Sequence, residues 1–125
     1  MGIEAIDHYN IQAPWNALLQ TRSFYIDIVG LTEGFRPEFR HRGFWLYAHK
    51  LPLLHLSEGT EVMREPRSSI DHVAFKCTGL QEIVTRLNDK KIRFRQQGIA
   101  QLQQTQLFFR DPLGNGIELN FNEVC

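Results

Sequence analysis

Apolar residues change their spacing repeatedly along the 125-residue chain, and the changes divide it into short elements. "GIEAIDHYNIQ" (2–12) alternates as a strand does. After Pro14, the residues Trp15, Leu18, Leu19, Tyr25, Ile28 and Val29 recur at roughly helical spacing, with Gly30 placed as a stop. Three short strands are predicted around 31–36, at "GFWLYAH" (43–49) and at "PLLHLSE" (52–58). The polar segment "SEGTEVMREPRSS" (57–69) then reads as a connector, and beyond it the scheme repeats. A strand over about 69–78 precedes a helix near 80–90, whose Leu80, Ile83, Val84 and Leu87 make one apolar face. "IRFRQQG" (92–98), "QTQLFFR" (104–110) and "GIELNFN" (116–122) read as strands, and "DPLGN" (111–115) carries turn residues between the last two.

The order is β-α-β-β-β, twice. It predicts an α+β fold in which two βαβββ modules form a cupped, mostly antiparallel eight-stranded sheet with helices on the outside. Module one covers about 1–58 and module two about 68–125 of a single domain. Neither module buries its apolar face well alone, so the two are expected to pack together, within one chain or between two.

Chemistry rides on the repeat. Ile6-Asp7-His8-Tyr9 returns 64 positions later as Ile70-Asp71-His72-Val73. Strand alternation groups His8 with Ile6 and Asn10, and His72 with Ile70 and Ala74. The opposite faces, with Tyr9/Ile11 and Val73/Phe75, are better suited to a covering helix, which turns both histidines to the concave side. His55 lies 47 residues after His8 and Glu118 lies 46 after His72. Each should project opposite its leucine or isoleucine neighbours, Leu54/Leu56 or Ile117/Leu119. Three imidazoles and a carboxylate at matched positions suit a divalent metal ion such as Fe, Ni, Co, Mn or Zn.

His41 and His49 fall outside this register and are expected in solvent. Asn10, Ser57, Asn120 and Asn122 are polar candidates for orienting a ligand. "RPEFRHR" (36–42) and "KKIRFR" (90–95) cluster positive charge. Lys91, Arg93 and Arg95 alternate onto one strand face, and Arg110 precedes the final turn. These cations read either as recognition of an anionic substrate or as a solvated, edge-protecting face. Trp45 and Tyr47 could line the concave face, but Phe44 and Leu46 compete for it and core packing is the expected role; Cys77 is expected to be a small buried hydrophobe.

Composition narrows the class. Apolar residues at 42% and charged residues at 22% are ordinary globular values. Fourteen basic against fourteen acidic residues do not favour a nucleic-acid or anionic-membrane partner. No run approaches the roughly 20 apolar residues of a membrane span, and the N-terminus lacks a signal-peptide pattern. Two cysteines without metal-ligand spacing predict a cytoplasmic protein with free thiols.

Together these residues resemble the vicinal oxygen chelate superfamily, which includes glyoxalase I, extradiol dioxygenases, fosfomycin-resistance thiol transferases, methylmalonyl-CoA epimerase and bleomycin-binding proteins. The resemblance covers nearly the whole chain. It rests on "IDHYNI", "IDHVAF", "SFYIDIVGL" and "PLLHLSEG". Its most specific part is "FFRDPLGNGIELNF", because the family commonly ends in an Asp-Pro-x-Gly-Asn hairpin followed by a ligand Glu. It implies that His8 and His72 are opening-strand ligands and Glu118 the closing carboxylate. His55 stands where glyoxalase I typically has another Glu, which leaves Glu118 to move a proton.

The implied function is a metal-dependent enzyme of glyoxalase type. It would act on a small, possibly anionic, oxygenated substrate by isomerase, lyase or epimerase chemistry through a metal-stabilised enolate. Substrate contacts would come from Asn10, Asn120, Asn122, Arg93 and Arg110. The alternatives are an Fe(II) extradiol-type dioxygenase and a metal-free, bleomycin-like binding protein. Short two-module members are often dimers, so a homodimer is expected.

Overall fold

The computed structural model describes residues 1–60 and 69–124. Most of the predicted connector lies outside the described residues. The chain divides into two compact units, Met1–Pro66 and Arg67–Cys125. Unit one runs β1 (Tyr9–Ala13), α1 (Trp15–Phe24) with a π-helical turn (Tyr25–Val29), β2 (Thr32–Gly34), β3 (Gly43–Ala48) and β4 (Leu51–Glu58). Unit two runs β5 (His72–Cys77), α2 (Leu80–Asp89), β6 (Arg95–Ile99), a 3-10 turn, β7 (Gln104–Arg110) and β8 (Gly116–Phe121).

Each unit holds one four-stranded sheet, ordered β1-β4-β3-β2 or β5-β8-β7-β6. The first strand of each unit lies parallel to its last. The remaining pairs are antiparallel. The α+β class and the doubled βαβββ order therefore stand. Parallel pairing of first and last strands brings residues more than forty positions apart side by side.

Local chemistry explains the elements. Pro14 precedes α1 with φ −58°, a value its ring fixes and a helix start accepts. Leu18 and Thr21 of α1, with Tyr25 and Ile28 of the π turn, form its buried face. The buried Thr21 hydroxyl donates to the Ala17 carbonyl at 2.8 Å, so it is not left unpaired. Gly30 ends the turn at φ +96°, where a side chain would be strained. Leu19, expected on the apolar face, is 37% exposed.

In unit one the rings of Trp15 and Phe44 stack at 5.4 Å, which puts α1 on the Phe44 face of the sheet. Leu46, Leu54 and Leu56 on that face are fully buried. Each such side chain contributes about 1.5–3 kcal/mol. In α2, Leu80, Ile83 and Leu87 are buried as their spacing predicts. The Glu123 carboxylate caps this helix, accepting from the backbone N–H of Gly79 at 2.8 Å and of Leu80 at 3.2 Å. A cap of this kind contributes roughly 1 kcal/mol.

Both opening strands begin later than alternation suggested, at Tyr9 and His72 instead of near residues 2 and 69. Pairing explains the second. His72 already faces Gly116, the first residue of β8, and the 111–115 turn lies before it. Among the described residues no strand remains for residues 69–71 to pair with. Ile6 and Ile70 consequently stand 83% and 75% exposed. In the first half, pairing of β1 with β4 likewise starts at Tyr9, opposite Leu54.

The predicted strand 92–98 also starts late. Lys91 adopts φ +57° in the turn after α2, so Arg95 is the one cation of the Lys91/Arg93/Arg95 series within a strand. The "DPLGN" turn forms as expected. Asp111, buried, accepts from the backbone N–H of Leu113 and Asn115, both at 2.9 Å, and from the Asn115 side chain at 2.8 Å. Among the described residues, no helix is long and apolar enough to cross a membrane.

Candidate functional site

Strand register ties the four candidate ligands into two equivalent pairs. Asn10 of β1 faces His55 of β4, and Ala74 of β5 faces Glu118 of β8. His8 and His72 each lie two residues before those facing positions. Residues two apart on a strand share a face, so each histidine meets a diagonal neighbour on its own side of the sheet. Within each unit the pair is in contact.

In unit one the pair is a stack. The His8 and His55 rings lie 3.7 Å apart, 16° from parallel. Trp45 stacks on His55 at 4.0 Å and 9°. Two parallel rings cannot share one side of an imidazole, so His55 is sandwiched between them. This corrects the assignment of Trp45 to the core: it stands on the ligand face, while Phe44 and Leu46 point the other way. Burial pushes the His55 pKa below the ordinary imidazole value, and the neighbouring His8 adds to the shift. His55 hydrogen-bonds the Pro52 backbone, which can only be its carbonyl. Its Nε2 is buried with no hydrogen-bond partner. Nδ1 therefore carries the proton and Nε2 keeps a free lone pair.

In unit two the pair is ionic. His72 Nε2 lies 3.2 Å from Glu118 Oε1, and Gln106 Nε2 donates to Glu118 Oε2 at 3.2 Å. Glu118 is 8% exposed, a carboxylate withdrawn from water between two donors. His72 Nδ1 lies 2.9 Å from Asp71 Oδ2. That hydrogen bond is the leading cause of a raised His72 pKa; burial opposes it, and the Glu118 charge adds a smaller increase. His72 sits directly over Gly116, where an added Cβ would come within 2.4 Å of the Asp71 carbonyl oxygen and 2.9 Å of His72 Cβ. Only glycine permits this approach.

Asp7 repeats the role of Asp71, its Oδ1 lying 2.6 Å from His8 Nδ1. All three histidines thus engage Nδ1 with an oxygen acceptor and leave Nε2 for another partner. This is the arrangement by which proteins orient metal-binding imidazoles. His72 Nε2 faces Glu118 Oε1 across 3.2 Å, a place that a cation can take. The donors of both pairs therefore fit a divalent ion. Among the described residues, no three His, Cys, Asp or Glu side chains are gathered to hold an ion.

The two aspartates were missed from the sequence because alternation sets them on the face opposite their histidines. Both precede the first strand residue or stand outside the ladder, so alternation does not bind them. The signal was present: the repeated phrase contains Asp as well as His.

The other candidates are scattered. Asn10, on the His55 face, exchanges hydrogen bonds with Ser57 at 2.9 and 3.1 Å. Asn120 shares the Glu118 face, and its Oδ1 is buried without a partner. Asn122 is exposed and accepts from Gln104 at 3.0 Å. Arg110 alternates onto the Glu118 face, and its Nη1 donates to the Gly114 carbonyl at 2.9 Å. Arg93 is exposed and precedes β6. His41 and His49 are exposed as expected. Cys77 is half-buried, and burial pushes its thiol pKa up to about 11, which makes it a poor nucleophile.

Unit one also contains a cavity of about 260 Å³ against His55, with Trp45, Asn10, Ser57 and Arg36 on its walls. A larger one in unit two, about 620 Å³, is lined by neutral residues such as Gln96, Gly98 and Thr105. Among the described residues no titratable side chain lines it, so the smaller cavity is the one associated with chemistry.

This geometry can be set against known proteins. No family model matches the chain, and no curated protein matches it. Solved structures do. A putative glyoxalase family protein from Bacillus anthracis superposes with a TM-score of 0.75 at 25% identity, covering 98% of each chain. The chain has the fold of the vicinal oxygen chelate superfamily. Lactoylglutathione lyase from Agrobacterium tumefaciens matches with a TM-score of 0.66 at 18% identity, over 97% of this chain and 96% of that one. The fosfomycin resistance protein FosX from Listeria monocytogenes, complexed with Mn(II) and sulfate, matches with a TM-score of 0.68 at 16% identity. That match covers 96% of this chain and 93% of FosX.

Proposed function

We propose that the protein is a metal-dependent enzyme of the glyoxalase type, acting on a small oxygenated substrate by isomerase, lyase or epimerase chemistry. The observation that carries this reading is the doubled Asp-His phrase. In each unit it leaves a histidine Nε2 available beside a second ligand-type side chain at the same register point. FosX, which shares the fold, is described in complex with Mn(II), and this supports a metal in the present chain. His8, His72 and Glu118 are its ligands, with His55 as the fourth.

A bound divalent ion supplies Lewis acidity toward adjacent oxygens of the substrate. The chain does the rest. Asp7, Asp71 and the Pro52 carbonyl hold the imidazoles in one tautomer. Glu118, the sole carboxylate of the set, takes a proton from substrate carbon and returns it. Gln106 holds Glu118 Oε2, so the carboxylate keeps its orientation as its charge changes. Asn10 and Asn120 present amides on the two ligand faces for substrate oxygens.

Metal content of protein purified without a histidine tag tests the reading, together with thermal shifts in Ni, Co, Zn, Mn and Fe(II). We expect one ion per chain and a rise in Tm that disappears in His8→Ala and Glu118→Ala. Absence of any metal-dependent shift would return the chain to the metal-free binding proteins. Tight Fe(II) binding with oxygen sensitivity would favour a dioxygenase, which the two-histidine, one-carboxylate set also suits. Light scattering tests the homodimer that accompanies this reading.

A further inference from the structure

We propose that the unit-one cavity beside His55 is a subsite for a small aromatic carboxylate, with the carboxylate on Arg36 and the ring against Trp45 and Phe39. The proposal rests on the metal-enzyme reading for its place in the chemistry, because His55 lines the same cavity. Its recognition elements are separate from the metal ligands.

Arg36 belongs to the loop between β2 and β3, and the structure holds its guanidinium firmly. Nη2 donates to the His41 carbonyl at 3.0 Å, and Cζ lies 4.8 Å over the Phe39 ring. Gly43 leaves room for it: a Cβ there would come within 2.9 Å of Nη2. Yet the charge has no counter-charge. Arg36 makes no ion pair among the described residues, its Nε is buried without an acceptor, and no carboxylate lines the cavity. A partly buried cation without an anion is unfavourable, and an anionic ligand removes that penalty.

The remaining walls select the rest of the ligand. Trp45 and Phe39 stand 6.2 Å apart and tilted by 37°, an open wedge and not a closed stack. A flat ring fits against such surfaces. The volume of about 260 Å³ falls below the roughly 300–1,000 Å³ usual for drug-sized ligands, so the ligand is small. A carboxylate conjugated to one ring is planar throughout and meets both the guanidinium and the aromatic wall. Inorganic phosphate meets only the first.

The test uses metal-free full-length protein carrying Trp15→Phe, which leaves Trp45 as the one fluorescent tryptophan of the two in the chain. Benzoate, neutral benzamide and inorganic phosphate are titrated while Trp45 emission is read. Benzoate should quench it saturably, with benzamide at least about tenfold weaker, and phosphate should compete without quenching. Arg36→Gln should weaken benzoate about ten- to a hundredfold, and Arg36→Lys less, since it keeps the charge but not the fork. Equal binding of benzoate and benzamide would overturn the proposal without needing any variant. So would parent affinity in both Arg36 variants, or phosphate quenching as benzoate does. Because no metal is present, failure here leaves the metal reading standing. Absence of metal binding in the parent protein, or parent-like metal affinity in Glu118→Ala, with benzoate still bound, would instead remove the metal reading alone.

Discussion

Units one and two place a candidate ligand pair at the same register point and then prepare it in opposite electrostatic states. In unit one, His55 is packed between His8 and Trp45, and burial with a neighbouring imidazole drives it toward the neutral form. In unit two, His72 lies between two carboxylates and is driven toward the charged form. Sheet geometry decides where the pair stands; its immediate surroundings decide its protonation. Burial leads for His55 and the Asp71 hydrogen bond leads for His72, with the residue across the pair, His8 or Glu118, adding to each. The first pair offers lone pairs, and the second offers a negative charge that invites a cation.

The largest expected effect comes from removing that charge. Glu118→Ala should weaken Mn(II) or Co(II) binding by more than about a hundredfold in calorimetric titration, exceeding the loss in outer-sphere variants. His55→Ala should cost less, because it takes away a neutral donor. Parent-like affinity in Glu118→Ala would break the comparison. The reciprocal change, His55→Glu, makes unit one a copy of unit two. A carboxylate beside His8 should then tighten Mn(II) or Co(II) binding relative to the parent, read by calorimetric titration. Unchanged affinity would mean that the pairs are not equivalent.

Asp71→Asn removes the leading cause of the raised His72 pKa. Its midpoint should fall, and metal affinity should drop by about ten- to a hundredfold if Asp71 orients a ligand. Unchanged metal affinity would reduce Asp71 to a surface contact.

The smallest effect lies in the pH dependence of the metal-free protein. His55 has a folded pKa below its unfolded value of about 6.5. The unfolded chain then binds more protons, so the His55 contribution is complete above that value and is lost as pH falls through it toward the folded pKa. His72 has the opposite sign. Its folded pKa is raised, so its contribution is complete below about 6.5 and is lost as pH rises through the folded value. Urea midpoints measured against pH should flatten on the acid side in His55→Ala and on the alkaline side in His72→Ala. The same response in both variants would remove the contrast.

Much of this was readable from the chain. The 47- and 46-residue spacings translate into one register relation, because each closing strand pairs in parallel with its opening strand. Alternation also gave the correct faces, with Ile11, Leu54, Leu56, Ile117 and Leu119 buried. Strand beginnings were not readable: Ile70 looks like a strand residue until β8 is known to begin at Gly116, and Ile6 stands outside β1 although β4 extends to Leu51. Nor was the Trp45 stack, because alternation names a face without saying what a ring will touch on it. Arg36 lay in a recognised basic segment, but only the loop fold shows its guanidinium held beside a cavity without a counter-charge.

We propose that His8, His55, His72 and Glu118 hold one divalent ion. Cobalt(II), being paramagnetic, tests it directly when added to untagged protein with ¹⁵N-labelled histidine. The account predicts that the His8, His55 and His72 imidazole signals shift or broaden together and are complete at one ion per chain. A response confined to the histidines of one unit, or none at one equivalent, would contradict it.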